Sequence, residues 1–271
     1  MIDNAGKVAL IFGVRNDSSI AWHIAQRLHQ SGCRLGFSYM PETEPSVKAL
    51  LADHNMESAL AYPVDVRRES DIQHFVETAH RQFDRIDYIL HATAYGNHKV
   101  ICSAAPGSGE IPPEYIDIPF EDLMDSFDIS AYSLLRICRV TRPYLTGGAS
   151  ILTLTYNASR RVFPSYAGMA INKAALENMV IYLAQYFGKQ GIRVNAISAG
   201  LVMTTSAGGI KGVRQLRKIG KHTAPLGNIS AGDVADTALY YFSGLSKKVS
   251  GNIHFLDGGF NIMGISEDGN D

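Results

Sequence analysis

No stretch of this chain stays apolar long enough to span a bilayer, and the opening MIDNAGK lacks the basic-then-apolar pattern of an export leader. The expectation is a soluble, cytoplasmic protein. Charge of neither sign dominates: 25 Lys and Arg stand against 26 Asp and Glu, with no basic block, so nucleic acid is not an expected partner. Cysteine is scarce. Cys33, Cys102 and Cys138 are odd in number and far apart, which reads as reduced thiols rather than a disulfide or a zinc site. None of the nine histidines has a metal-ligand spacing, and no metal is expected. Repeats, low-complexity tracts and long linkers are missing as well. With 271 residues, 46% hydrophobic and 19% charged, the chain is long and apolar enough for one large core, and a single α/β domain over 1–271 is expected.

The dinucleotide fingerprint G-x-G-x-x-G is also absent, since Gly13 to Ala21 read GVRNDSSIA. Its surroundings are nonetheless those of a strand, a glycine turn and a helix: KVALIF, then Gly13 and a polar turn, then IAWHIAQRLHQSG. Such a turn aims helix N-terminal amides at a pyrophosphate, although an ordinary βα turn fits the same residues. Strands are expected at 7–12, 34–39, 59–64, 86–92, 149–155, 192–197 and 252–256. Helices are expected at 19–30, 45–53, 69–82, 119–143, 165–187 and 231–243. The alternation predicts a doubly wound parallel sheet with its ligand crevice at the carboxyl ends of the strands. Gly13, Asp65, His91 to Gly96, Tyr156 and Gly200 all fall on that edge.

The segment YNASRRVFPSYAGMAINK, 156–173, concentrates the chemistry. Tyr166 stands seven residues before Lys173; if Pro164 and Ser165 open a helix, that is roughly two turns, with both side chains on one face about 10 Å apart. Hydride addition to a carbonyl or an enoyl thioester drives negative charge onto an oxygen. A tyrosine hydroxyl whose pKa is lowered by a nearby ammonium stabilises that charge, and the lysine can also donate to ribose hydroxyls. On spacing alone, an ordinary amphipathic helix with a surface lysine explains the same residues. Tyr95 and Lys99 in YGNHK form a second tyrosine-lysine pair, but they lie in a turn with no helix to align them.

These segments resemble the enoyl-acyl carrier protein reductases of bacterial type II fatty acid synthesis, a divergent branch of the short-chain dehydrogenase/reductases. The likeness runs from Lys7 to Ile262 through GVRNDSSIAWHIA, VDV at 64–66, ILTLTYNASRRVFPSYAGMAINKAALE, GIRVNAISAG, APLG and DGGFNI. Ordinary members of the superfamily set tyrosine four residues before lysine; the gap of seven and the extra Tyr156 belong to the enoyl reductases. The resemblance implies a Rossmann-fold enzyme reducing the trans-2 double bond of an enoyl chain on acyl carrier protein with NADH, assembled as a homotetramer. It implies Tyr156, Tyr166 and Lys173 as catalytic residues, with Tyr166 on the thioester oxygen and Lys173 on the nicotinamide ribose. Cofactor contacts fall to Gly13, Ser19 and Ile20 at the pyrophosphate, Asp65 and Val66 at the adenine, Thr93 near the ribose, and Val202 and Thr204 at the carboxamide and phosphates. Gly96, Tyr156 and Tyr166 border the substrate. Read without the resemblance, Val66 and Val202 are core, Asp65 caps a helix and Thr204 is a turn residue.

The chain departs from its relatives in three places. His91-Ala92-Thr93-Ala94-Tyr95-Gly96 stands where HSIGFA is usual, Leu201 replaces a proline, and 98–118 is long, within a stretch rich in proline. A related enoyl or keto reductase of specialised metabolism therefore stays open, as does a cofactor-binding regulator without catalysis. After the second strand, Tyr39 to Glu44 carry two glutamates and no Arg or Lys, which favours NADH over NADPH. The loop Met203 to Leu216, with Gly208-Gly209, Ile210 and Val213, is expected to act as a mobile substrate lid, although a plain surface helix fits the same residues.

Overall fold

The computed structural model describes residues 2–104, 111–163, 166–208 and 212–264. Seven strands form one parallel sheet in the order β3-β2-β1-β4-β5-β6-β7. They are β1 (Val8–Phe12), β2 (Arg34–Tyr39), β3 (Leu60–Pro63), β4 (Ile86–His91), β5 (Leu145–Thr155), β6 (Arg193–Ala199) and β7 (Ile253–Leu256). Every residue of β1, β4 and β6 is buried, as strands covered on both faces must be, which is why KVALIF carries no polar alternation. The chain order reverses between β1 and β4, and that switch point opens the crevice at the carboxyl edge.

Two helical layers cover the sheet. α1 (Ile20–Gln30) and α9 (Ala231–Tyr241) pack on one face around Trp22, Ile24, Val234 and Tyr241. α3 (Glu69–Phe83), α5 (Ser133–Thr141) and α6 (Ala167–Gly188) pack on the other around Phe75, Ile137, Leu176 and Phe187. α2 (Glu44–Asp53) follows β2. Each buried side chain of this size contributes about 1.5–3 kcal/mol, so both layers are held chiefly by burial.

Three expectations change in detail. The helix expected over 119–143 is α4 (Phe120–Phe127), a π-helical turn at Asp128–Tyr132, then α5. α6 begins at Ala167, which leaves Tyr166 in the position that caps it; Pro164 and Ser165 lie outside the described residues. The expected loop 203–216 holds α7 (Thr205–Gly208) and the start of α8 (Val213–Thr223), whereas Gly209 and Ile210 lie outside the described residues. So do residues 105–110 of the long segment after β4.

Candidate active site

β5 ends at Thr155 and delivers Tyr156 to the carboxyl edge, where the chain turns through a short 3-10 helix, Asn157–Ser159. Tyr166 returns at the start of α6, and the two tyrosine rings meet edge to face with centroids 5.0 Å apart. Phe163 packs on Tyr156 at 4.8 Å and on Phe260 at 6.0 Å, so the pair is backed by aromatic surface. Among the described residues neither tyrosine hydroxyl has a hydrogen-bond partner, which leaves both available to a ligand.

Lys173 lies two turns into the site on α6 and is buried, its Nζ donating to the Leu154 carbonyl at 2.9 Å. That is its one partner among the described residues, so two ammonium protons remain for a ligand. Burial lowers its pKa to about 8, against a smaller upward pull from Glu177. Burial raises the hydroxyl pKa of Tyr166 well above the ordinary tyrosine value. The expected lowering by an ammonium is not seen; burial alone sets the direction, and Tyr166 is a neutral O–H donor.

The cofactor edge is equally specific. Gly13 has φ +104°, and a Cβ there would lie 2.6 Å from the Ala92 carbonyl oxygen, so the β1 turn and the end of β4 approach too closely for any other residue. Ser19 sits at the N-cap of α1, its hydroxyl donating to Asn16 Oδ1 at 3.2 Å, and Ile20 packs partly against the core. A helix N-terminus of this kind offers backbone N–H groups that a pyrophosphate can take. The Asn16 amide donates to Thr205 Oγ1 at 2.8 Å, and the Thr205 N–H to Ser18 Oγ at 3.2 Å; together they tie this turn to the segment after β6. Thr204 accepts the Ala207 N–H at 3.1 Å and so opens α7, while Val202 is buried.

Asp65 is not a helix cap. Its carboxylate takes Arg67 Nε and a terminal guanidinium nitrogen at 3.0 and 2.8 Å, Arg67 reaches on to Asp125, and this pairing holds the carboxyl below the usual range. Val66 is core, with its carbonyl accepting from Arg136 at 3.0 Å. Thr93 donates to the Ile129 carbonyl at 3.1 Å and contacts His91 Nε2 at 2.9 Å. A Cβ on Gly96 would meet Met169 Sδ at 2.8 Å, which explains the glycine beside α6. Tyr95 is held by its backbone to Ser130 and is exposed, and Lys99 pairs with Asp122 at 3.5 Å, so the second tyrosine-lysine pair serves the loop rather than the site.

Two site groups escaped sequence reasoning. His91 is fully buried, bridging Thr153 at 2.7 Å and Ser133 at 2.8 Å; burial and the Lys173 charge press its pKa down to about 3, so it stays neutral. Glu177, one turn beyond Lys173, accepts from Thr155 at 2.9 Å and Ser159 at 2.7 Å. The only local signal was a polar residue ending an apolar strand or interrupting a buried helix face. Among the described residues no cluster of His, Cys, Asp and Glu fits a metal ion, and the three cysteines are free.

Next to the tyrosines lies an apolar pocket walled by Tyr156, Phe163, Leu216, Ile219, Ile229 and Phe260. A strand-order switch point at the sheet's carboxyl edge, a buried lysine with spare donors and a neutral tyrosine beside an apolar pocket are the build of a nicotinamide-dependent reductase of the Rossmann type. The chain belongs to the enoyl-(acyl carrier protein) reductase family, whose sequence model matches residues 13–261. It is 36% identical over 270 residues to the NADH-dependent enoyl-acyl carrier protein reductase FabI of Synechocystis, covering 98% of this chain and 100% of that one. It is 38% identical to FabI of Rickettsia typhi, over 97% of both chains. Among solved structures, FabI of Candidatus Liberibacter asiaticus superposes with a TM-score of 0.90 at 33% identity, covering 98% of this chain and 100% of that one. The reductase of Anaplasma phagocytophilum in complex with NAD does so with a TM-score of 0.88 at 31% identity, over 98% of this chain and 96% of that one.

Proposed function

We propose that this chain reduces the trans-2 double bond of an enoyl-acyl carrier protein thioester with NADH, in fatty acid synthesis. The observation that carries the reading is the Tyr156–Tyr166 pair standing at the N-terminus of the helix that buries Lys173. The bound nicotinamide supplies the hydride. Lys173, with two donors unspent, binds the nicotinamide ribose and lends positive field to the site. Gly13, Ser19 and Ile20 line the pyrophosphate side, Asp65 and Val66 the adenine, Thr93 the ribose region, and Val202 and Thr204 the carboxamide and phosphates.

The substrate's thioester oxygen gains negative charge as its β-carbon accepts hydride. Tyr166 donates its O–H to that oxygen, and because burial keeps it neutral it holds the proton until charge develops. Tyr156 backs the Tyr166 ring and borders the substrate with Gly96. The acyl chain enters the pocket of Phe163, Leu216 and Ile219, which excludes water from the developing enolate. We infer that the start of α8, whose Leu216 and Ile219 form one pocket wall, covers the substrate.

The exposed Arg214, Arg217, Lys218 and Lys221 of α8 flank that pocket and suit a carrier protein of negative surface. Exposed Ile171, Ile181, Tyr182 and Tyr186 on α6, with Phe120 on α4, form an apolar face that supports assembly of further copies into the homotetramer. No described helix is long and apolar enough to cross a membrane, and a cytoplasmic location follows from the proposed pathway. The experiment is product analysis with trans-2-enoyl and 3-keto thioesters in parallel. The proposal expects a saturated thioester from the first and no NADH-dependent product from the second; the reverse pattern overturns it.

A further inference from the structure

Glu177 stands on α6 four residues after Lys173, its side chain 8% exposed, and it gathers three groups from the strand end and turn that carry Tyr156. Its Oε1 accepts from Thr155 Oγ1 at 2.9 Å and from Ser159 Oγ at 2.7 Å; Oε2 accepts from the Arg160 guanidinium at 3.3 Å. Thr155 is the residue before Tyr156, and Ser159 closes the 3-10 turn that follows it. One carboxylate thus clamps both flanks of Tyr156 to the helix of Lys173. Arg160 is half exposed and rests over the Phe255 ring at 5.2 Å, so it screens the carboxylate from outside without reaching Lys173.

The geometry points to Glu177 as a positioning residue of this site: it locks the Tyr156 turn to the Lys173 helix and sets a carboxylate one turn from Lys173 on that helix. The inference rests on the proposed NADH-dependent reading. The charge argument is narrow because few groups face Lys173. From α6 the facing group is Glu177, from β5 the Leu154 carbonyl, and from β4 His91, which stays neutral. Tyr156 and Tyr166 are held protonated by burial, so among the described residues Glu177 is the charge that opposes the burial of Lys173. A carboxylate with a purely structural role would not affect cofactor affinity as a function of pH.

The test is NADH binding to the full chain, followed by nicotinamide fluorescence across neutral to alkaline pH, for wild type, Glu177→Gln and Arg160→Ala. In wild type the affinity falls as Lys173 loses its proton. Glu177→Gln keeps an oxygen for Thr155 and Ser159 but removes the charge, and the fall should move about one unit to lower pH. Arg160→Ala leaves Glu177 less neutralised and should move the fall to higher pH. Opposite displacements establish the inference; superposable curves for all three proteins overturn it. If Glu177→Gln does not fold, an unmoved curve for Arg160→Ala is sufficient to reject it. A wild type that binds no NADH at any pH rejects the cofactor reading instead, so the two failures are distinguishable.

Discussion

Lys173 donates its Nζ to the carbonyl of Leu154 at 2.9 Å, a bond that fixes the ammonium between the end of β5 and the helix that carries it. With that carbonyl as its anchor and burial lowering its pKa to about 8, Lys173 titrates close to physiological pH. Two consequences of opposite sign follow. NADH affinity should fall as pH rises through about 8, because the neutral amine has lost the charge that binds. Folding stability should change the other way: the folded chain binds fewer protons at Lys173 than the unfolded chain between about 8 and the ordinary 10.5, so the cost of burying the charge is relieved as pH rises. The difference in unfolding free energy between wild type and Lys173→Met, measured by denaturant at several pH values, checks this; a difference independent of pH contradicts it.

Tyr156→Ala should act through packing. The ring contacts Tyr166 at 5.0 Å and Phe163 at 4.8 Å, and removing this half-buried ring beside the pocket costs about 1–3 kcal/mol, less than a core ring. Tyr156→Phe keeps the rings and should leave the melting temperature within a degree or two of wild type. Differential scanning calorimetry of the two variants separates the effects. Equal melting temperatures would show that the ring carries no packing role.

Gly13→Ala should lose both stability and cofactor. Its φ of +104° and the 2.6 Å approach to the Ala92 carbonyl leave no place for a methyl group, and strain of this kind costs about 1–3 kcal/mol. A thermal shift assay with and without NADH should give a lower melting point and little stabilisation by NADH. A wild-type shift in the variant contradicts the placement of the pyrophosphate at this turn.

Cofactor choice rests on the end of β2. Tyr39 to Glu44 offer no cation to a 2′-phosphate, and Lys48, further along in α2, is held by Glu44 at 2.6 Å. NADH should therefore have the lower KM, and Glu42→Arg should narrow the gap by adding a phosphate partner. Steady-state kinetics with both cofactors checks this, and a lower KM for NADPH in wild type contradicts it.

The strands were legible because a sheet buried on both faces demands unbroken apolar runs; VALIF and its counterparts are read to within a residue or two, β5 excepted at its start. α8 was not, because the paired glycines before it read as a loop, which hid the sparse apolar stripe of Val213, Leu216 and Ile219 among its lysines and arginines. Tyr166, Lys173 and Tyr156 were legible as candidates through the resemblance, since their spacing alone fits an ordinary helix. Their supports, His91 with Ser133 and Glu177 with Thr155, were not, since bonds across 42 and 22 residues of sequence leave no local pattern. The direction of the Tyr166 shift was missed for a related reason. Spacing reveals a lysine on the same helix but not the burial that raises the Tyr166 hydroxyl.

The most direct test of the account is NADH oxidation with a trans-2-enoyl thioester, measured for wild type and for Tyr166→Phe, with the product weighed by mass spectrometry. The account predicts one NADH consumed per double bond saturated, and a kcat about 10²-fold lower in Tyr166→Phe with the KM for NADH little changed, the magnitude expected for removing an oxyanion donor. Wild-type turnover in Tyr166→Phe would contradict the role assigned to that hydroxyl, and an unreduced thioester with the wild type would contradict the reaction itself.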